Sequence, residues 1–343
     1  MWYAAAFQEK LPIAGGHFNF LPSWWYENYG IEHDRVVLDP NYRVKAWMAM
    51  EKAMHDRFGE ARLGNPDPRP CAPPANWGNA LIPAVAGCDV VLTKDQYPAN
   101  RHLDEERIGG LSPPEQIENI YPYSETIRQA GYLNRKYGTD VKPTFGIRGE
   151  LNDSLLIRGS EHLGDLIVDT RRARHLMDYC HQLYLRQMEW DHGVAPGGAV
   201  MIFHCANIMI GPRTYSEAIL DYDVDTRRKV SELGMVFHIH NCGRAHEYIE
   251  SYRKLGPVES LDIGTDSDLR QVMEAFPDSK VSYIINARWL KSAALSEIAD
   301  GMKAIFERAS GHLNRLFFNV ADIESGTPDE NLCQFYQCCR TAA

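Results

Sequence analysis

In the second half of the chain, short apolar runs alternate with longer amphipathic ones, the pattern of parallel strands covered by helices. Five strands are predicted there: Gly198–Ala206, Met235–His240, Val258–Ile263, Lys280–Ile285 and Leu316–Val320. Between them lie helical patterns at Tyr215–Gly234, Arg244–Leu255, Ser267–Phe276 and Leu295–Ala309. Asp266 or Ser267 can cap the helix that follows. Thr327-Pro328-Asp329-Glu330 reads as a cap, a proline at the first helical position and two acids in the first turn. Earlier, Leu11–Asn19, Asp89–Leu92 and Pro143–Gly149 supply three more strand candidates. Eight strands alternating with helices predict an α/β fold, a (β/α)8 TIM-type barrel built as a single domain over residues 1–343. From Gly59 to Tyr123 the periodicity gives way to Pro- and Gly-rich sequence, such as PDPRPCAPP at 66–74. A long segment of this kind inside a domain is usually functional, and it is read as a cap over the barrel mouth.

Composition narrows the function classes. With 44% hydrophobic and 24% charged residues the chain is ordinary globular protein, and a formal charge of −10 argues against nucleic acid as partner. No stretch approaches the roughly 20 apolar residues that span a bilayer, and the N-terminus lacks a basic region followed by an apolar one. A soluble, cytoplasmic protein with no membrane partner is therefore expected. Cysteines stand at 71, 88, 180, 205, 242, 333, 338 and 339, too few and too irregular for a disulfide framework.

In a barrel, chemistry sits where strands end. The polar residues collected there are His17 and Asn19, Arg148 and Glu150, His204 and Cys205, His240 and Cys242, Asp262 and Asp266, Asn286 and Arg288, and Asn319 and Asp322. Strand side chains alternate faces, so His238, His240 and Cys242 point the same way, successive members about 6.6 Å apart. His240 and Cys242 can then share one ion if the strand end curls, which Gly243 would permit. Imidazole with thiolate favours zinc over magnesium or calcium, and a catalytic zinc takes three protein ligands. Cys205 is the leading candidate for the third, with His204 and Glu150 as alternatives. Each of these residues also has a purely structural role open to it: a packed strand histidine, a core thiol at Cys205, helix capping at Asp262 and Asp266, ion pairing at Arg148 and Arg288.

The stretch VFHIHNCGRAHEYIESYRKLGPVESLDIGTDSDLRQVMEAF, followed by KVSYIINARWL and TPDENL, resembles the uroporphyrinogen decarboxylase superfamily, especially its cobalamin-linked methyltransferase branch. In that branch a strand ending His-x-Cys-Gly precedes an Asp-containing strand, a strand ending in Asn, and a helix opened by Thr-Pro. Here these are His240-Asn241-Cys242-Gly243, Asp262, Asn286 and Thr327-Pro328, within a likeness running over roughly residues 145–335. The branch's third zinc ligand is a cysteine shortly before the Thr-Pro helix, and Ala321 stands at that spacing here. The decarboxylase's N-terminal arginine-rich segment also lacks a counterpart, since Pro12–Gly30 contains no arginine.

The resemblance implies a (β/α)8 barrel and a zinc-dependent methyltransferase. It would move a methyl group between a small methylated substrate, of methoxy, methylamine or methylthio type, and a corrinoid protein or a thiol. The implied cofactors are Zn2+ and a corrinoid (cobalamin) on a partner protein, and a homodimer is compatible with the sequence. His240, Cys242 and Cys205 are the expected metal ligands. Asp262, Glu150 and His204 are the expected catalytic residues, and His17, Asn19, Arg148, Asn286 and Arg288 the expected substrate contacts. The alternative is a metal-free decarboxylase or lyase in which His204, His240 and Arg148 handle a small carboxylate.

Overall fold

A computed structural model describes residues 3–7, 11–61 and 63–342. Its strands are β1 Ala4–Phe7, β2 Gly15–Phe20, β3 Val90–Val91, β4 Ala99–Asn100, β5 Ala199–Phe203, β6 Val236–Asn241, β7 Ser260–Ile263, β8 Lys280–Asn286 and β9 Leu316–Ile323. Seven form one curled sheet in the order β1-β2-β9-β8-β7-β6-β5. From β2 to β5 every pairing is parallel, whereas β1 closes its edge antiparallel. The five strands of the second half thus lie where the apolar runs put them, joined by helical crossovers as parallel pairing requires.

Two expected strands differ. Asp89–Leu92 contributes only β3, which pairs with β4 in a separate two-stranded ribbon. Pro143–Gly149 forms no strand, although it runs beside the end of β5. Its backbone groups are taken instead by side chains of the helix Thr170–Val194. Gln187 donates to the Gly146 carbonyl at 3.0 Å, Trp190 to that of Pro143 at 3.0 Å, and Asp191 accepts from the Phe145 N–H at 3.1 Å. With those groups satisfied and Pro143 lacking a donor, no ladder forms and the parallel run ends at β5. The described sheet is a half-barrel of six parallel strands and one antiparallel strand, not a ring of eight. Gly149 is needed at this junction: its φ is +88°, and a Cβ there would lie 2.6 Å from the Phe203 carbonyl oxygen.

Helix ends show similar local substitutions. The Tyr215–Gly234 pattern becomes two helices, Pro212–Ala218 and Leu220–Glu232, and Arg244–Leu255 becomes short turns around a single helical turn at Ile249–Tyr252. Helix Leu269–Ala275 is capped by Asp268, which accepts from the Gln271 N–H at 3.0 Å, rather than by Asp266 or Ser267. The Ser267 hydroxyl instead accepts from the Ala245 N–H at 3.0 Å and donates to the Gly243 carbonyl at 2.8 Å, pinning the turn after β6. Thr327 bonds back to the Glu324 carbonyl, and the last helix starts at Asp329. No described helix is long and apolar enough to cross a membrane.

Candidate functional site

The parallel register builds the site. Phe203 pairs with His240, His240 with Asp262 and Asp262 with Ser282, so one row of side chains runs across four strands on one face. Within it His240 Nδ1 is hydrogen-bonded to Asp262 Oδ2. Asp262 also accepts from the Ser282 hydroxyl at 2.7 Å and from the Asn319 amide at 3.1 Å. Asn319 Oδ1 in turn meets His17 Nε2 at 2.9 Å, so His17 reaches the site as the far end of a polar chain. His238, one step back along β6, is bonded to Ser260 and stands apart from it.

Just past the ends of β5 and β6 the chain brings Cys205, His240 and Cys242 together. One ligand atom from each lies within 4.8 Å of the others, the only such cluster among the described residues. Cys205 opens a 3-10 turn to Met209, held by Asn152, which accepts from the Ala206 N–H at 2.8 Å. The turn carrying Cys242 is held by Asn241, whose Oδ1 accepts from the Gly243 N–H at 2.9 Å. Gly243 keeps φ out of the left-handed region, so the curl owes nothing to a special glycine conformation there. Gly264 does matter, because a Cβ on it would fall 2.0 Å from the Cys242 carbonyl oxygen.

The three groups polarise one another. Burial opposes protonation of His240, but its bonds to Asp262 and Cys242 outweigh it and raise its pKa to about 9. The hydrogen bond from Cys205, aided by His240 and opposed by burial, brings the Cys242 thiol down to about 5. Cys205, half-buried beside Cys242, is pushed far up, first by that neighbour and then by loss of solvent. The shifts run in opposite directions, favouring the thiolate at Cys242, the thiol at Cys205 and the protonated imidazole at His240.

A metal fits this donor set. Zinc binds thiolate sulfur at about 2.3 Å and imidazole nitrogen at about 2.0 Å, so ligand atoms less than 5 Å apart need only a small closure around it. With Nδ1 committed to Asp262, Nε2 is the nitrogen left for the ion, the carboxylate–histidine arrangement common at zinc sites. Two thiolates and an imidazole would leave a fourth position open.

Beside the cluster is a cavity of about 580 Å³. Phe203, Arg148 and Asp322 form its wall on the cluster side: the Phe203 ring lies 4.8 Å from that of His240, and Asp322 feels the charge of both Cys242 and His240. Asn19 lines the cavity as well, as do residues 73–79 and Tyr97 of the Pro- and Gly-rich segment.

Other expected site residues lie elsewhere. Glu150, at the start of helix Glu150–Arg158, is buried with its carboxylate 2.7 Å from His181 Nδ1. His204 alternates to the opposite side from the cluster, 2.9 Å from the Tyr252 hydroxyl and 2.9 Å from Asp223 Oδ2. Asn286 caps helix Ala287–Ser292 through the Arg288 N–H, and both residues are exposed and outside the cavity wall. The sequence gives no sign of Ser282 as a support of Asp262, or of Trp47 and Trp77 in the cavity wall, because what places them is sheet register and long-range packing.

A solved methyltransferase from Methanosarcina mazei matches this architecture with a TM-score of 0.65 at 13% sequence identity, over 94% of this chain and 93% of the other. The two share a fold. No protein-family model and no curated protein matches the chain.

Proposed function

We propose that the chain is a zinc-dependent methyltransferase, moving a methyl group between a small methylated substrate and a corrinoid protein or a thiol. The convergence of Cys205, His240 and Cys242 beside the cavity carries this reading. The fold shared with a methyltransferase and the motif resemblance to the cobalamin-linked branch of the uroporphyrinogen decarboxylase superfamily support it. In the same reading the chain is a single barrel-type domain, with 59–123 as its cap.

Bound there, zinc would supply Lewis-acid chemistry, making a thiol nucleophilic or improving the departure of a methoxy oxygen. Cys205, Cys242 and His240 Nε2 would hold it. Asp262 fixes the histidine tautomer, and Asp262 is itself held by Ser282 and Asn319. Cys205 would stand in for the later cysteine of the methyltransferases that the motif resembles, where this chain has Ala321. Arg148 and Asn19, in the cavity wall, would orient substrate.

Elemental analysis tests the reading, with one zinc per chain expected after reconstitution. Protein that neither retains nor takes up stoichiometric zinc would overturn it. Cobalt substitution should give thiolate-to-metal absorption that weakens in Cys205→Ser; an unchanged spectrum removes Cys205 from the coordination sphere. His204, which a metal-free lyase would use beside His240 and Arg148, faces Tyr252 and Asp223 rather than the cavity.

A further inference from the structure

Three charged side chains line the cavity: Arg43, Arg148 and Asp322. In the lining itself two guanidinium charges stand against one carboxylate; Asp39 and Glu125 act on Arg43 and Asp153 on Arg148 from behind the wall, without a direct ion pair among the described residues. Arg43 is the unusual member. It is only 2% exposed, its Nη1 is spent on the Val36 and Val37 carbonyls at 2.9 and 3.3 Å, and Nε and Nη2 have no partner. A guanidinium this deep is costly: burial draws its pKa down to about 10 against the pull of Asp39 and Glu125, neither of which pairs with it directly. Arg148 also has a buried, unpartnered Nε and sits over the Phe203 ring at 5.6 Å. Asn19, 5% exposed, adds a buried amide oxygen without a partner to the same wall, and an amide can turn to offer either group. Asp322 stands at the end nearest the cluster with φ +61°, the only non-glycine residue in that region among those described. Strain of this kind collects at functional sites.

We propose that this cavity binds a small monocarboxylate with a flat, apolar body. Arg148 contacts the carboxylate, Arg43 supplies buried positive charge behind it, and Asp322 sets the limit at one negative charge. The planar guanidinium fork matches a carboxylate in two parallel hydrogen bonds, and Trp47, Trp77, Phe145 and Phe203 provide the apolar wall. Trp77 has its N–H committed to Thr126 at 2.8 Å, so only its ring remains to meet the ligand. The inference rests on the methyltransferase reading only in treating the ligand as that enzyme's substrate, since the charge balance is a property of the cavity itself.

Calorimetric titration of the full chain with benzoate, benzamide and benzylamine tests it, before and after zinc loading. Benzoate should bind at least about tenfold more tightly than the neutral amide, and the amine not measurably. Arg148→Gln should weaken benzoate at least about tenfold and so remove its preference over benzamide. Asp322→Asn should tighten benzoate and admit the dianion terephthalate. Equal binding of benzoate and benzamide, no binding of benzoate, or a preference for the amine overturns the proposal, and these comparisons on the unaltered protein need no variant to fold. Zinc uptake without any charge preference would sink this inference alone. Charge preference without zinc uptake would sink the methyltransferase reading and leave this one standing.

Discussion

At the residue scale, a metal entering the site must displace protons from His240, whose pKa is raised to about 9, and from Cys205, pushed higher still, whereas Cys242, lowered to about 5, is already a thiolate near neutrality. Metal ligands bind deprotonated, so affinity rises with pH through the range where His240 titrates. Zinc added at pH 7 should release about two protons per ion, measured with an indicator dye, and apparent affinity should climb toward pH 9. A flat profile would contradict this protonation state. Asp262→Asn should weaken zinc by about 10- to 100-fold in chelator competition, while His238→Ala, one step outside the cluster, should leave it unchanged. His240, Cys242 and Cys205 were legible because strand ends and alternation can be read along a chain. Ser282 and Asn319 as supports of Asp262 were not, since a parallel partner 20 or 57 residues away is chosen by register rather than by local pattern.

At the scale of elements, two turns hold the cluster in place. Ser267→Ala removes a donor and an acceptor from the turn carrying Cys242 and should cost about 1–2 kcal/mol in urea unfolding, with weakened zinc binding as a companion effect. Gly149→Ala meets both a left-handed backbone and the Phe203 carbonyl, and should cost about 2 kcal/mol or more. Wild-type stability in that variant would mean that the junction beside β5 is looser than its geometry implies. The strands of the second half were legible because buried parallel strands are apolar throughout. Pro143–Gly149 misled for a physical reason: its apolar spacing is strand-like, but Gln187, Trp190 and Asp191, some 40 residues later, claim the backbone groups that a strand would have paired. Helix caps were legible to within a residue or two, as with Asp268 in place of its two neighbours.

For the whole molecule, zinc that binds only the folded chain should stabilise it by about 2.7 kcal/mol at ~100 times its Kd. A thermal scan with and without chelator should show that gain in the wild type and little of it in His240→Ala. The half-barrel has a further consequence. Thr144, Phe145 and Gly146 belong to the cavity wall, yet their backbone is moored to an outer helix by side chains rather than to a neighbouring strand. A ladder is a many-stranded rope, whereas this wall hangs by a few separate tethers, each replaceable on its own. Substitution at Gln187 or Asp191 therefore offers a way to widen or shift the binding space without altering any residue that lines it.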